Sequence, residues 1–413
     1  MGNWMYNMEN EILKEIIKWI VNNKEWLFSG LGIIILGGVV KKFFFKNEPT
    51  LIHKQNVSEN GMAVQAGRDV IIGIDEKRAR EINAESLAIA KKDFSYEAEQ
   101  KVADRVQKLE DRVMPRLYRI EGALQNFADP SFQVFLTKAN KAAACTDRES
   151  DYDLLSELLI HRIEKKDSRK DQIGLNKAVE IVDQITDEAL SGLTIFFAVS
   201  QYSPVAGFLD QGLSILDNLY NKLPLTNLPV SKDWLEELDV LDAVRVSSMG
   251  TLKKLEQYWS EKFTGFVTAG IKKNGDKWND ISNMLNNCGL SANFLITNTL
   301  LDDYVLIPVV DENAIDSFVQ TRIVVPEGRM DFCPFSDEQK QVLHQIFSMY
   351  DKSPDLLNKV KNAFVEKLDS FEAIKTVRLW WNSIPHAITV TAVGRVLAHA
   401  NAKRCDPSIP NLN

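Results

Sequence analysis

The sequence predicts a mainly α-helical protein with one N-terminal transmembrane helix, a short β segment, a long striped helix and a multi-helix body with a small strand element. Two patterns indicate this class. Residues 26–40 form an uncharged run of 15 residues, and apolar residues from 102 to 127 recur at steps of three and four, the helical period. The 413 residues are 45% hydrophobic and 26% charged, which is typical of globular chains with several domains.

The predicted membrane anchor is residues 26–45. The uncharged run is short for a bilayer, but it reaches roughly 30 Å if two lysines extend their ammonium groups to the headgroups. A buried core helix is the alternative, and the paired lysines disfavour it because lysine is rarely buried. The anchor residues are Trp26, Leu27, Phe28, Gly30, Ile33, Ile34, Ile35, Gly37, Lys41 and Lys42.

Three segments flank the anchor. Residues 1–25 contain an amphipathic pattern that predicts a helix in the membrane interface. Residues 46–60 are polar and predict a linker, and residues 61–73 alternate as a short β motif does. Because an isolated strand is not stable, this motif either docks on the body or pairs with other copies of the chain.

Residues 74–128 predict a long helix with an apolar stripe. The stripe suits either a lever between membrane and body or a self-association surface. Pro115 lies inside it, so a kink or break is expected there. The predicted self-association residues are Val102, Val106, Leu109, Val113, Leu117, Ile120 and Leu124.

The body is predicted to occupy residues 129–413. Residues 129–335 have helical periodicity, with short β-branched runs near 290–326 that predict strands. Residues 336–413 predict a C-terminal helical region. It ends with a short strand and a helix capped by Thr389 or Thr391.

One acidic cluster is the only candidate for chemistry. Carboxylates four residues apart, such as Asp147 with Asp151 and Glu149 with Asp153, can share a helix face, as a metal-dependent nuclease requires. The same cluster is also what a helix dipole favours near its N-terminus. The sequence has no phosphate-binding glycine loop and no recognisable metal-ligand spacing, so no cofactor or metal is expected. The candidate residues are Asp147, Glu149, Asp151, Asp153 and His161.

Several stretches support a family resemblance. The arrangement KEWLFSGLG (24–32) followed by QAGRDVIIG (65–73) resembles an N-terminus found in bacterial proteins of mobile islands and antiviral defence. The stretches LTKANKAAACTDRESDYDLLSELLIHRI (136–163) and TAVGRVLAHANAKRCDP (391–407) resemble a family of uncharacterised bacterial proteins. The resemblance implies no site residues. Together with the predicted anchor, it implies a single-pass bacterial inner-membrane protein, and the lysines after the anchor and four separated cysteines favour a cytoplasmic body.

The leading hypothesis is a membrane-anchored antiphage defence protein that senses a phage or host protein and oligomerises or rearranges. Its expected partners are the lipid bilayer, other copies of the chain and the trigger protein. Nucleic acid is disfavoured by the net charge of −8. A tethered scaffold that recruits another defence protein and a metal-dependent nuclease are the alternatives.

Overall fold

A computed structural model describes residues 96–412, apart from residues 118, 122, 165–168, 248 and 325–328. The predicted interfacial helix, anchor, linker and β motif therefore lie outside the described residues. Within them, no helix combines the length and apolar character that crossing a bilayer requires. The chain divides into two compact units, Met1–Lys166 and Asp167–Asn413, called here the N-terminal and C-terminal units.

The described part of the N-terminal unit is a group of three helices. They are α1 (Tyr96–Leu117), α2 (Pro130–Cys145) and α3 (Glu149–Glu164), with a 3-10 helix at Ala123–Ala128 between the first two. Helix α1 ends two residues after Pro115, which agrees with the predicted break. Helix α2 begins at Pro130 because Asp129 caps it: the Asp129 carboxylate accepts a hydrogen bond from the Ser131 N–H at 2.8 Å.

The C-terminal unit is also mainly helical, as predicted. Its α-helices are α4 (Arg169–Ile181), α5 (Asp187–Gln201), α6 (Leu209–Lys222), α7 (Asp233–Val240), α8 (Leu255–Lys262), α9 (Trp278–Asn287), α10 (Asp337–Ser348), α11 (Pro354–Asp369), α12 (Glu372–Ser383) and α13 (Ala392–Cys405). Helix α13 is buried along most of its length and packs on α4 and α5. Asn401 of α13 donates a hydrogen bond to the Thr194 hydroxyl of α5 at 2.8 Å, so even the polar groups in this contact are paired.

The strands are short and antiparallel. They are β1 (Val244–Val246), β2 (Ile271–Lys272), β3 (Ile296–Thr297), β4 (Tyr304–Leu306), β5 (Val319–Val324), β6 (Arg329–Pro334) and β7 (Ile388–Val390). They pair as β1 with β7, as β2-β4-β3, and as β5 with β6. The prediction of strands near 290–326 is confirmed. The prediction of a final strand and helix is confirmed by β7 and α13, and Thr391 is the N-cap of α13.

The sheet β2-β4-β3 has its own apolar core. Its buried side chains pack with those of α9 and α10, including Ile281, Leu285, Val305, Leu343 and Ile346. This core fixes the position of β3 at the edge of the sheet. The open side of β3 is therefore held in a fixed position.

Candidate functional site

The acidic cluster begins α3, and it faces a row of basic side chains on α1. The basic residues recur along α1 at helical steps, so they share one face of that helix. Paired acidic residues recur in the same way along α3. We call this arrangement the charge ladder; it consists of Lys108, Arg112, Arg116, Glu149, Asp153 and Glu157.

Arg112 is the centre of the charge ladder. Its Nη2 lies 2.5 Å from Glu149 Oε2, and its Nε lies 2.6 Å from Asp153 Oδ1. The Lys108 Nζ lies 3.0 Å from the other oxygen of Glu149, and Arg116 pairs with Glu157 at 2.8 Å. Two carboxylates of the cluster therefore bind one guanidinium, which joins α1 to α3 by charge-assisted hydrogen bonds.

The electrostatics agree with this geometry. Hydrogen bonds from Lys108 and Arg112 lower the pKa of the Glu149 carboxyl. The hydrogen bond to Glu149 raises the pKa of Lys108. Beneath both cations lies the buried ring of Tyr152, whose centroid is 5.9 Å from Lys108 Nζ and 5.4 Å from Arg112 Cζ. The aromatic ring adds a second attraction for the two cations.

Beyond the charge ladder, at the start of α1, is an open cleft of about 310 Å³. Lys101, Arg105 and Lys108 contribute positive charge to it, and Asp104 and Asp147 contribute negative charge. Because the charges nearly balance, the cleft has no strong preference for an anion or a cation.

A protein-family model matches residues 73–411, and the family is uncharacterised. The chain belongs to this family. Neither the curated proteins nor the solved structures contain a match to the chain. The matched residues include both the α1–α3 group and the C-terminal unit, and the match assigns an activity to neither.

The other predicted site residues do not converge with Glu149 and Asp153. Asp147 is exposed, and its carboxylate is 4.0 Å from Arg105. Asp151 is buried and stabilises the turn before α3, where it accepts hydrogen bonds from Thr146 Oγ1 at 2.6 Å and Arg148 Nε at 2.9 Å. His161 is buried further along α3. In the part of the chain that the structure describes, no three His, Cys, Asp or Glu side chains are arranged to hold a metal.

The predicted self-association stripe lies partly inside the N-terminal unit. Four of its residues are buried there: Val106, Leu109, Val113 and Leu117. Val102 is 43% exposed, Ile120 is half-buried, and the Leu124 side chain is outside the described residues. Self-association stays a prediction, and in this arrangement α2 and α3 cover most of the stripe.

The basic row on α1 was missed by sequence reasoning. Its signal is present in the sequence as Arg105, Lys108, Arg112 and Arg116, at steps of three, four and four. The apolar stripe obscures this row, because each basic residue lies beside a stripe residue in the sequence.

Proposed function

We propose that this protein is a membrane-anchored bacterial antiphage defence protein that binds a phage or host protein and rearranges or oligomerises at the inner membrane, with its body in the cytoplasm. The charge ladder is the observation that supports this function best. Its basic side belongs to α1, the first described helix after the predicted anchor at residues 26–45. Its acidic side is the cluster that a nuclease would need, and Glu149 and Asp153 are already bound to Arg112.

In this proposal, the charge ladder is a latch. The contacts of Arg112, Glu149 and Asp153 are partly exposed to water, so opening them costs little compared with opening a packed core. Beneath them lie Leu109 and Leu117 of α1, both buried. Release of α1 would also expose this apolar face at the membrane, which costs free energy of burial, and another copy of the chain would offset that cost by covering the face.

The first test concerns the anchor. Deletion of residues 1–45 is expected to abolish protection of cells against phage, measured by plaque counts. The size of the full-length protein in detergent micelles is measured in parallel, and a large closed oligomer is expected in the triggered state. Full protection by the truncated chain would overturn the proposed function.

A second test separates a latch from metal-dependent chemistry. Arg112→Gln opens the charge ladder but keeps every carboxylate, whereas Glu149→Gln removes one carboxylate of the predicted nuclease cluster. A latch predicts the same change in protection and in oligomer size for both variants. A nuclease predicts loss of activity with Glu149→Gln and retention with Arg112→Gln, and that result would favour the enzyme alternative.

A further inference from the structure

We propose that the C-terminal unit binds an extended peptide segment of a partner protein in a cleft between the start of α6 and the edge of β3. This deepens the proposed function, on which it rests, by naming the class of partner that is sensed. The cleft measures about 370 Å³ and has a mostly apolar lining. Its principal residues are Phe208, Gln211, Phe266, Ile296, Thr297 and Leu306.

Two glycines shape the cleft. A Cβ on Gly207 would lie 1.7 Å from the Pro308 carbonyl oxygen, so only glycine allows the chain before α6 to lie on that backbone. A Cβ on Gly212 would lie 2.9 Å from the Phe266 ring, so the missing side chain lets the ring fit beneath the first turn of α6. The buried Phe266 and Leu306 therefore contribute a fixed apolar floor.

The wall opposite α6 is the edge of β3, which no described strand pairs on that side. The Asn298 N–H donates to the Tyr304 carbonyl at 2.8 Å, and Thr297 is opposite Val305 in the register. Because hydrogen-bonded and non-bonded pairs alternate in an antiparallel ladder, the Thr297 N–H and C=O point away from β4. Thr297 is exposed, and no hydrogen bond from any described residue reaches these two groups.

Asn298 holds this edge in place. Its buried side-chain amide donates to the carbonyls of Thr268 at 3.0 Å and Ala269 at 2.9 Å, and its oxygen accepts from the Leu300 N–H at 2.9 Å. The strand edge is therefore preorganised, which lowers the entropy cost of adding a further strand.

An extended peptide satisfies both features of the cleft. Its main chain offers a carbonyl and an N–H to Thr297, and alternate side chains point to one face, so an apolar side chain enters the cleft. Phe208, 50% exposed at the rim, offers an apolar contact to that side chain. A small apolar molecule would fill the cleft but leave the polar groups of Thr297 to water.

The first experiment tests the main-chain pairing. The probe is a short fluorescent peptide in which threonine alternates with valine and leucine, with a lysine at each end. Its binding to the full chain in detergent micelles is measured by fluorescence anisotropy. N-methylation of the central leucine, which removes one donor, is expected to weaken binding about tenfold. Equal affinity for the two peptides would overturn the proposal. Binding of anilinonaphthalenesulfonate without binding of either peptide would assign the cleft to small molecules and overturn it too.

The second experiment tests the site with a variant that is not expected to destabilise the fold. Phe208 is the N-cap of α6 and offers no side-chain acceptor to the helix. Phe208→Asp supplies one, so it is expected to raise the thermal midpoint while it weakens peptide binding at least about tenfold. Val230→Asp, the control at another exposed apolar residue, is expected to leave peptide binding unchanged. Wild-type affinity in Phe208→Asp would contradict the proposal.

Plaque assays separate this inference from the proposed function. Loss of both peptide binding and protection in Phe208→Asp supports the cleft as the sensing site. Loss of peptide binding with intact protection would show that the cleft is not the sensing site. If the full chain binds the peptide but deletion of residues 1–45 leaves protection intact, the site stands and the proposed membrane function fails.

Discussion

Both units have a buried apolar core, but they differ in the contacts that supplement it. In the N-terminal unit, Arg112 and its two carboxylates lie at a partly exposed contact between α1 and α3. In the C-terminal unit, the buried rings of Tyr220 and Trp259 stack with centroids 6.4 Å apart, and Trp259 also contacts Phe263 at 5.6 Å. Ionic contacts near water are weak, and salt screens them. Buried aromatic packing is stronger and does not depend on salt in this way. The ionic contact between α1 and α3 is therefore better suited to open than the aromatic contacts of the C-terminal unit.

The largest effect is expected from breaking the aromatic core. Trp259→Ala removes a fully buried indole and leaves a cavity, so it should lower the free energy of unfolding of the C-terminal unit by about 3–5 kcal/mol. Hydrogen exchange measured by mass spectrometry should show lost protection there and unchanged protection in α1–α3. The exposed Val230→Ala is the control. A loss below about 1 kcal/mol, or an equal loss in both units, would contradict the comparison.

The next effect concerns a half-buried cation in the C-terminal unit. Lys262 Nζ donates to three carbonyls at the end of α5: Val199 at 3.2 Å, Ser200 at 2.9 Å and Tyr202 at 3.0 Å. Three acceptors match the three N–H groups of an ammonium. Lys262→Met keeps the apolar stem but leaves the carbonyls without this donor, so it should cost about 2 kcal/mol. Chemical denaturation measures this loss in the free energy of unfolding, and the exposed Lys254→Met is the control. Equal stability of the two variants would contradict a stabilising role for the Lys262 ammonium.

The parts of the fold that the sequence could predict are those in which local pattern and tertiary packing agree. The Thr391 cap and the strands at 296–297 and 304–306 are such cases, because cap chemistry and β-branched runs are local signals. Strand β1 was missed because it is three residues long and pairs with β7, far along the chain. Its neighbours in sequence give no indication of that partner.

The candidate site was predicted less well, for a physical reason. The carboxylates of Glu149 and Asp153 were correctly placed near the start of a helix. Whether such carboxylates bind a metal or a guanidinium depends on what faces them, and that is Arg112, from a helix more than thirty residues earlier. Spacing within one segment cannot distinguish these two outcomes.

A smaller effect tests the N-terminal unit through pH. Burial raises the pKa of Glu110 on α1 from 4.5 to about 7, with a further contribution from Asp111. The folded state therefore binds this proton more tightly than the unfolded state, so stability is lost as pH rises from 4.5 to 7. Glu110→Gln should stabilise the N-terminal unit by about 1–2 kcal/mol at pH 8 and have little effect below pH 4.5. Thermal unfolding at both pH values measures this, with the exposed Glu121→Gln as control. A gain that does not depend on pH would contradict the assignment to Glu110.

The smallest effect tests the latch itself. Arg112→Gln leaves Glu149 and Asp153 without their shared guanidinium, but the contact is partly exposed, so the expected loss is about 0.5–1 kcal/mol at low salt. The difference between wild type and variant should shrink as salt rises, because mobile ions screen the wild-type ion pairs.

Hydrogen exchange in α1 is the measurement that separates this latch from a general loss of stability. Arg112→Gln should speed exchange in α1 and α3 while leaving the aromatic core around Trp259 protected, since the two contacts belong to different units. The control is Lys141→Gln on the exposed face of α2, which removes a positive charge without touching the charge ladder. If both variants speed exchange equally, the change in exchange comes from net charge and not from the loss of the Arg112 contact. The proposed latch would then lose its physical basis. The conclusion about the aromatic core around Trp259 would be unaffected.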